Sequence, residues 1–218
     1  MRHMPILLAA AAAALFAQES KVPIDNDQVR VLVVNEQPHR KTRLHDHKVN
    51  RVMIYLEPGK QEFEYPESKK KNVLTWKAGE AKWSPAGEKH IAEIVSDKPV
   101  TIVEVELKKP GDPAKKATGP LDPVKLDPRE YKVVFENEQV RVLHVKIGPA
   151  ASTPVHEHVL NRVVAYLSDQ KLRVTSSDGK SDIVEHKAGD VSWGGPAKHK
   201  EENLNSTPFE VMVVELKM

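Results

Sequence analysis

The chain has 218 residues, of which 39% are hydrophobic and 29% charged, and its formal net charge is +2. These proportions are ordinary for a soluble globular protein, and the balanced charge gives no case for nucleic-acid binding, which calls for a clustered basic excess. Cysteine is absent, which excludes disulfides, thiolate metal ligands and a cysteine nucleophile. Any metal must therefore be held by nitrogen or oxygen ligands.

The N-terminus has the three-part pattern of a secretory signal peptide. Arg2 and His3 precede an apolar run that starts at Pro5 and ends at Ala17, and polar residues begin at Gln18. This run is too short to span a bilayer comfortably. We predict a signal peptide over residues 1–17, export to the periplasm or the cell exterior, and no membrane attachment after cleavage.

Four sequence blocks recur in the same order along the rest of the chain, 109 to 111 residues apart. The pairs are NDQVRVLVV and NEQVRVLHV, LHDHKVNRVMIYL and VHEHVLNRVVAYL, KAGEAKW and KAGDVSW, and PVTIVEVELK and PFEVMVVELK. Such self-similarity indicates a duplicated domain. We predict one unit over residues 22–108, a second over residues 129–217, and a proline-rich linker over residues 109–128.

Within each half, the pattern is that of β-structure. Short runs rich in Val, Ile, Leu and Tyr are separated by Pro, Gly, Asn and Asp; they are VRVLVV, VMIYL, TIVEVEL, VRVLHVKI, VVAYL and FEVMVVEL. Such runs are typical of strands bounded by turns, and no stretch after residue 20 shows the apolar period of a helix. The sequence predicts an all-β fold with one small barrel or sandwich in each half.

Six of the ten histidines occupy equivalent positions in the two halves. They are His45, His47 and His90 in the first half, and His156, His158 and His199 in the second. Alternate residues of a strand face the same side, so the two histidines of each His-x-His pair point together. Three neutral imidazoles inside a barrel suit a divalent transition metal.

These residues resemble the motifs of the cupin superfamily, in which the first motif carries His-x-His and the second reads Gly-x5-Pro-x-Gly-x2-His-x3-Asn. The first half matches the second motif at Gly79, Pro85, Gly87 and His90. The second half has Gly189, Pro196, His199 and Asn203, with one residue fewer between the glycine and the histidine.

The resemblance covers both halves and implies a bicupin, in which two jelly-roll-like β-barrels follow each other in the chain. It implies a metal or ligand site at the centre of each barrel. It is much less specific for chemistry, because the family includes oxygenases, decarboxylases, isomerases and non-catalytic binding proteins.

Both halves depart from the first motif at the same place, because Arg51 and Arg162 stand where the family has a glutamate. A positive charge ~5 Å from a divalent cation is repelled by roughly 7 kcal/mol at an effective dielectric constant of about 20. In one interpretation the arginines turn away or pair with a carboxylate, and three histidines alone hold Fe, Mn, Zn, Ni or Cu. In a second, no metal binds, and arginine and histidine bind an organic anion. In a third, the histidines form hydrogen bonds within the core.

Three further residues are candidates for these sites. Strand alternation directs Glu201 inward, where the first half has Ala92. Glu201 is a candidate fourth metal ligand or a partner of Arg162, although acidic residues are mostly exposed. Tyr55 and Tyr166 share the parity of the arginines, which predicts packing in the core or contact with a substrate or anion.

The sequence therefore predicts an exported bicupin with three-histidine metal sites and, if it is an enzyme, oxygenase-type chemistry on a small organic molecule. The alternative is a non-catalytic cupin that binds a small anion or sugar through histidine and arginine. A structural role is a third interpretation, since barrel edges commonly form homodimers.

Overall fold

The computed structural model describes residues 19–218, which form 18 β-strands and one short helix. The predicted signal peptide lies outside these residues. The strands of the first half are β1 (Glu19–Asp25), β2 (Val29–Glu36), β3 (His45–His47), β4 (Arg51–Tyr55), β5 (Gly59–Tyr65), β6 (Lys70–Trp76), β7 (Glu80–Ser84), β8 (Gly87–Ile94) and β9 (Val100–Leu107). The strands of the second half are β10 (Tyr131–Glu136), β11 (Val140–Ile147), β12 (His156–His158), β13 (Arg162–Tyr166), β14 (Gln170–Ser176), β15 (Ser181–His186), β16 (Val191–Gly194), β17 (Ala197–Asn203) and β18 (Phe209–Leu216).

Each half consists of one five-stranded and one four-stranded sheet. The five-stranded sheets have the orders β1-β2-β9-β4-β7 and β10-β11-β18-β13-β16, and the four-stranded sheets have the orders β3-β8-β5-β6 and β12-β17-β14-β15. All pairs of neighbouring strands in these sheets are antiparallel. The predicted all-β architecture, two tandem cupin-like barrels, is confirmed.

The six predicted apolar runs form the strands β2, β4, β9, β11, β13 and β18, all in the five-stranded sheets. Central strands β9 and β18 are buried on both faces over most of their length. A strand covered on both faces has an almost continuous apolar sequence rather than an alternating one. One face of each five-stranded sheet therefore lines the interior of its own barrel, and the other face is covered by the opposite half.

The two halves pack against each other through the outer faces of their five-stranded sheets. One apolar cluster contains Val52 and Val105 of the first half together with Val163 and Val214 of the second. All four side chains are fully buried. Burying a valine side chain contributes about 1.5–3 kcal/mol, so this shared core joins the halves strongly.

Two hydrogen bonds related by the internal repeat flank this core. Asn50 Nδ2 donates to Gln139 Oε1 (2.6 Å), and Asn161 Nδ2 donates to Gln28 Oε1 (2.7 Å). These contacts explain why an asparagine precedes the arginine in both copies of the repeat. The asparagine holds the opposite half, and the arginine that follows it faces the barrel interior.

The segment between the halves contains the helix α1 (Pro123–Leu126). Asp122 caps its N-terminus by accepting from the Val124 backbone N–H, and Pro123 follows in the first turn, where a missing N–H is harmless. Asp122 is buried and forms an ion pair with Arg141 (Oδ1–Nη2 3.1 Å). The segment is therefore fixed to the second half. No helix within residues 19–218 is long and apolar enough to cross a membrane.

Candidate metal centres

The structure assembles the six repeated histidines into two groups at equivalent places. Strand β3 pairs with β8 so that His45 lies opposite His90, and β12 pairs with β17 so that His156 lies opposite His199. In each group, one nitrogen from each ring lies within 4.8 Å of the others. We name them the N-terminal group (His45, His47 and His90) and the C-terminal group (His156, His158 and His199).

Backbone carbonyls fix the orientation of three of the rings. The Nδ1 atoms lie near carbonyl oxygens two residues earlier in the chain: 2.7 Å from Arg43 for His45, 3.2 Å from Glu88 for His90 and 3.0 Å from Pro154 for His156. A carbonyl oxygen can only accept, so Nδ1 carries the hydrogen and Nε2 keeps its lone pair for a ligand.

Burial keeps several of these imidazoles neutral. It lowers the pKa of His47 to about 3, with a further contribution from Arg51, and lowers the pKa of His199 to about 4. The pKa values of His90 and His158 are also lowered, mainly by burial. Neutral imidazole is the form that binds metals. Three such nitrogens, without thiolates, fit Fe, Mn, Zn, Ni or Cu and leave coordination positions open.

Arg51 lies beside the N-terminal group and pairs with a carboxylate. Its Nη1 donates to Glu104 Oε2 (2.8 Å), and its Nη2 donates to Ser84 Oγ (3.0 Å). Nη1 also lies 3.0 Å from His47 Nε2. Because guanidinium has only donors, His47 Nε2 accepts this bond. Arg51 therefore pairs with a carboxylate, as one interpretation of the sequence required. It nevertheless remains in contact with a candidate ligand nitrogen.

Arg162 has a different partner, since its Nη1 donates to the carbonyl oxygen of Gly195. Its strand neighbour is Gly194, and a Cβ built there would lie 3.0 Å from Arg162 Cζ. Ser84, the neighbour of Arg51, occupies the equivalent place in the first half. The missing side chain at Gly194 gives the guanidinium of Arg162 this space, whereas the hydroxyl of Ser84 holds Arg51.

Glu215 is a site residue that sequence reasoning missed. Its Oε1 accepts from His158 Nδ1 (2.8 Å), and its Oε2 lies 3.5 Å from Arg141 Nη1. Burial raises the pKa of Glu215 to about 7, an effect that Arg141 opposes. A signal was present, because a glutamate recurs inside both VELK strands, as Glu106 and Glu215.

Glu201 faces the barrel interior, as its parity predicts. Its Oε1 lies 3.8 Å from His199 Nε2, and its Oε2 accepts from the Tyr131 hydroxyl (3.1 Å). Burial lowers the pKa of Arg162, which the charges of Glu201 and Glu215 oppose. The roles of Glu201 as a partner of Arg162 and as a fourth metal ligand both stay predictions.

The two repeated tyrosines mainly pack against other rings. Tyr55 stacks on Trp76 with ring centroids 4.3 Å apart and is 2% exposed. Tyr166 stacks on His186 at 3.9 Å, and its hydroxyl lies 2.9 Å from Ser192 Oγ. Burial raises the pKa of both phenols. They shape the barrel interiors, and their contact with a substrate or anion stays a prediction.

The N-terminal group opens onto a cavity of about 930 Å³. Its lining combines the charged pair Arg51 and Glu104 with Met53 and the aromatic rings of Phe63 and Tyr65. In this group only His90 is buried, whereas all three histidines of the C-terminal group are buried. The two centres therefore have equivalent histidines but differ in how accessible these histidines are from solvent.

No protein-family model and no curated protein matches the sequence. Solved structures do match its fold. AerE from Microcystis aeruginosa is 13% identical with a TM-score of 0.62, over 91% of this chain and 97% of that one. A variant of oxalate decarboxylase from Bacillus subtilis is 15% identical with a TM-score of 0.60, over 87% of this chain and 69% of that one. A cupin 2 conserved barrel domain protein from Leptotrichia buccalis is 12% identical with a TM-score of 0.54, over 97% of this chain and 92% of that one. The chain has the fold of a bicupin, as the motifs predicted.

Proposed function

We propose that the protein is an exported metal-binding bicupin whose N-terminal cavity takes a small organic substrate for oxygenase-type chemistry. The observation that carries this proposal is the N-terminal group at the wall of a cavity of about 930 Å³. A pocket of this volume can enclose a small molecule. Three histidines leave coordination positions open beside it.

The chain's own groups would have distinct tasks. The three histidines hold the metal, and a bound divalent metal would supply Lewis-acid or redox chemistry at the open positions. Arg51 would orient a substrate carboxylate, and the rings of Phe63 and Tyr65 would exclude water. Oxalate decarboxylase from Bacillus subtilis, which has a similar fold, contains Mn(II) centres. This similarity supports Mn among the candidate metals.

Export is the second part of the proposal. It is supported by the signal-peptide pattern that ends at Ala17. Cleavage there would leave β1 intact, because that strand begins at Glu19.

Elemental analysis of the chain from residue 18, purified without a polyhistidine tag or chelator, tests the proposal. We expect about one or two metal ions per chain and nearly complete loss in the double variant His45→Ala, His156→Ala, because each site loses a ligand. The double variant His39→Ala, His144→Ala removes histidines outside both groups and should retain the metal. A protein that holds no metal even after reconstitution would rule out the metal-cupin proposal.

The contact between Arg51 and His47 favours a second function, which is anion binding without metal. In that case Arg51 and the N-terminal group would hold a carboxylate, a phosphate or an acidic sugar in the cavity. We then expect malonate or phosphate to raise the melting temperature of chelator-treated protein. A ligand present at 100 times its Kd adds about 2.7 kcal/mol to the free energy of unfolding. The increase should vanish in Arg51→Gln but persist in Arg30→Gln. An increase that persists in both variants would exclude Arg51 as the anion site.

A further inference from the structure

The two histidine groups contain the same ligands but have opposite neighbours. In the C-terminal group, His158 Nδ1 lies 2.8 Å from a glutamate oxygen. In the N-terminal group, His47 Nε2 lies 3.0 Å from an arginine nitrogen. We propose that the C-terminal group is a tight metal site that fills first, and that the N-terminal group is a weaker site whose filling Arg51 opposes. This inference rests on the proposed metal binding.

Glu215 prepares the C-terminal group for a metal. By accepting from Nδ1–H, its carboxylate fixes the ring of His158 and makes the opposite nitrogen more basic. Arg141 on its other side holds the carboxylate in place. Losing such a supporting partner typically weakens metal binding about 10- to 100-fold.

A second carboxylate favours a cation in the same place. Glu201 Oε1 lies 3.8 Å from His199 Nε2, and the first half has Ala92 at this position. Arg162 donates to the Gly195 carbonyl rather than to a histidine, although its positive charge lies close enough to act on His158. A divalent cation in the C-terminal group thus has two nearby carboxylates.

The N-terminal group has the opposite arrangement. Arg51 donates to a nitrogen that a metal would need, and Glu104 and Ser84 hold it there through two further bonds. A metal must break the contact with His47 and bind beside a fixed positive charge. Glu106, the repeat equivalent of Glu215, pairs with Arg30 (3.3 Å) as Glu215 pairs with Arg141, but the hydrogen bond of His47 is made with Arg51 rather than with this glutamate.

The test is a titration of metal-free full-length mature protein with Zn²⁺ in competition with a chelator of known affinity. The wild-type protein should bind one ion tightly and a second at least about 10-fold more weakly. His156→Ala should remove the tight ion and His45→Ala the weak one. Glu215→Gln should weaken the tight site by about 10- to 100-fold. Arg51→Gln should strengthen the weak site by at least about 10-fold, because it removes a positive charge beside the metal.

Two matched variants serve as controls. Glu106→Gln changes the repeat equivalent of Glu215, and Arg30→Gln removes a cavity arginine whose ion-pair partner is a glutamate. Neither should change the affinity of the tight site.

Two equal sites, or a weak site that Arg51→Gln leaves unchanged, would overturn the inference while the metal-cupin proposal stands. No Zn²⁺ binding at either site would instead overturn the proposed function. If Glu215→Gln does not fold, His45→Ala and His156→Ala still decide, because the inference requires that only His156→Ala loses the tight ion.

Discussion

Replacing Arg141 by methionine should reduce the free energy of unfolding by about 3–5 kcal/mol, because it leaves buried carboxylates without their counter-charge. The Arg141 side chain is 3% exposed and lies between Asp122 (3.1 Å) and Glu215 (3.5 Å), whose side chains are 2% and 1% exposed. Methionine keeps much of the volume but neither the charge nor the hydrogen bonds to Asp122 and the Ala117 carbonyl.

The internal repeat supplies the control for this prediction. Arg30 occupies the same position in the first half and also pairs with a glutamate, Glu106, but its side chain is 41% exposed. An exposed ion pair contributes about 0–1 kcal/mol, so Arg30→Met should be nearly neutral. Urea unfolding of both variants, followed by circular dichroism and tryptophan fluorescence, measures the difference. Equal stability losses in the two variants would contradict the assigned role of the Arg141 ion pairs.

The sequence predicted those features that depend on local periodicity. The repeat marks the two halves, and the apolar runs mark the strands of the five-stranded sheets. Alternation within a strand places His45 with His47, and His156 with His158. Each third histidine was predicted from its place in the repeat, and the structure places it on the strand paired with its His-x-His segment.

Other features depend on pairing between distant segments, which periodicity does not encode. The different orientations of Arg51 and Arg162 follow from Ser84 and Gly194 on neighbouring strands. The contact between Glu215 and His158 depends on the position of β18 beside His158. The contact of Asn50 with Gln139 depends on how one half docks on the other. A residue retained in both copies shows where a constraint lies without showing which contact causes it.

The unequal access of the two groups leads to a second prediction with a large effect. Tyr131 is 1% exposed; its ring lies 5.1 Å from that of His156, and its hydroxyl donates to Glu201. Burial raises the pKa of this phenol, with a contribution from Glu201, so it stays protonated as a donor. Removing a buried aromatic ring costs about 3–5 kcal/mol, and we expect such a loss in Tyr131→Ser, measured by urea unfolding.

The first half shows that the strand pairing accepts serine at this position. Ser20 is the repeat equivalent of Tyr131: Ser20 pairs with Val34 as Tyr131 pairs with Val145. Ser20 lines the large cavity. Tyr131→Ser should therefore open the C-terminal barrel rather than prevent folding. The reciprocal variant Ser20→Tyr should narrow the N-terminal cavity with little loss of stability.

Diethyl pyrocarbonate acylates accessible histidines, and mass spectrometry identifies the modified residues. Applied to metal-free protein, this reaction shows whether Tyr131 closes the C-terminal barrel or contributes packing alone. His156 is 0% exposed, so it should be unreactive in the wild-type protein and become reactive in Tyr131→Ser. His45, in the open half, should react in the wild-type protein and more slowly in Ser20→Tyr. If Tyr131→Ser lost stability while His156 stayed unreactive, Tyr131 would contribute packing alone. If instead both variants behave as expected, one side chain at equivalent positions sets which histidine group a small molecule can reach.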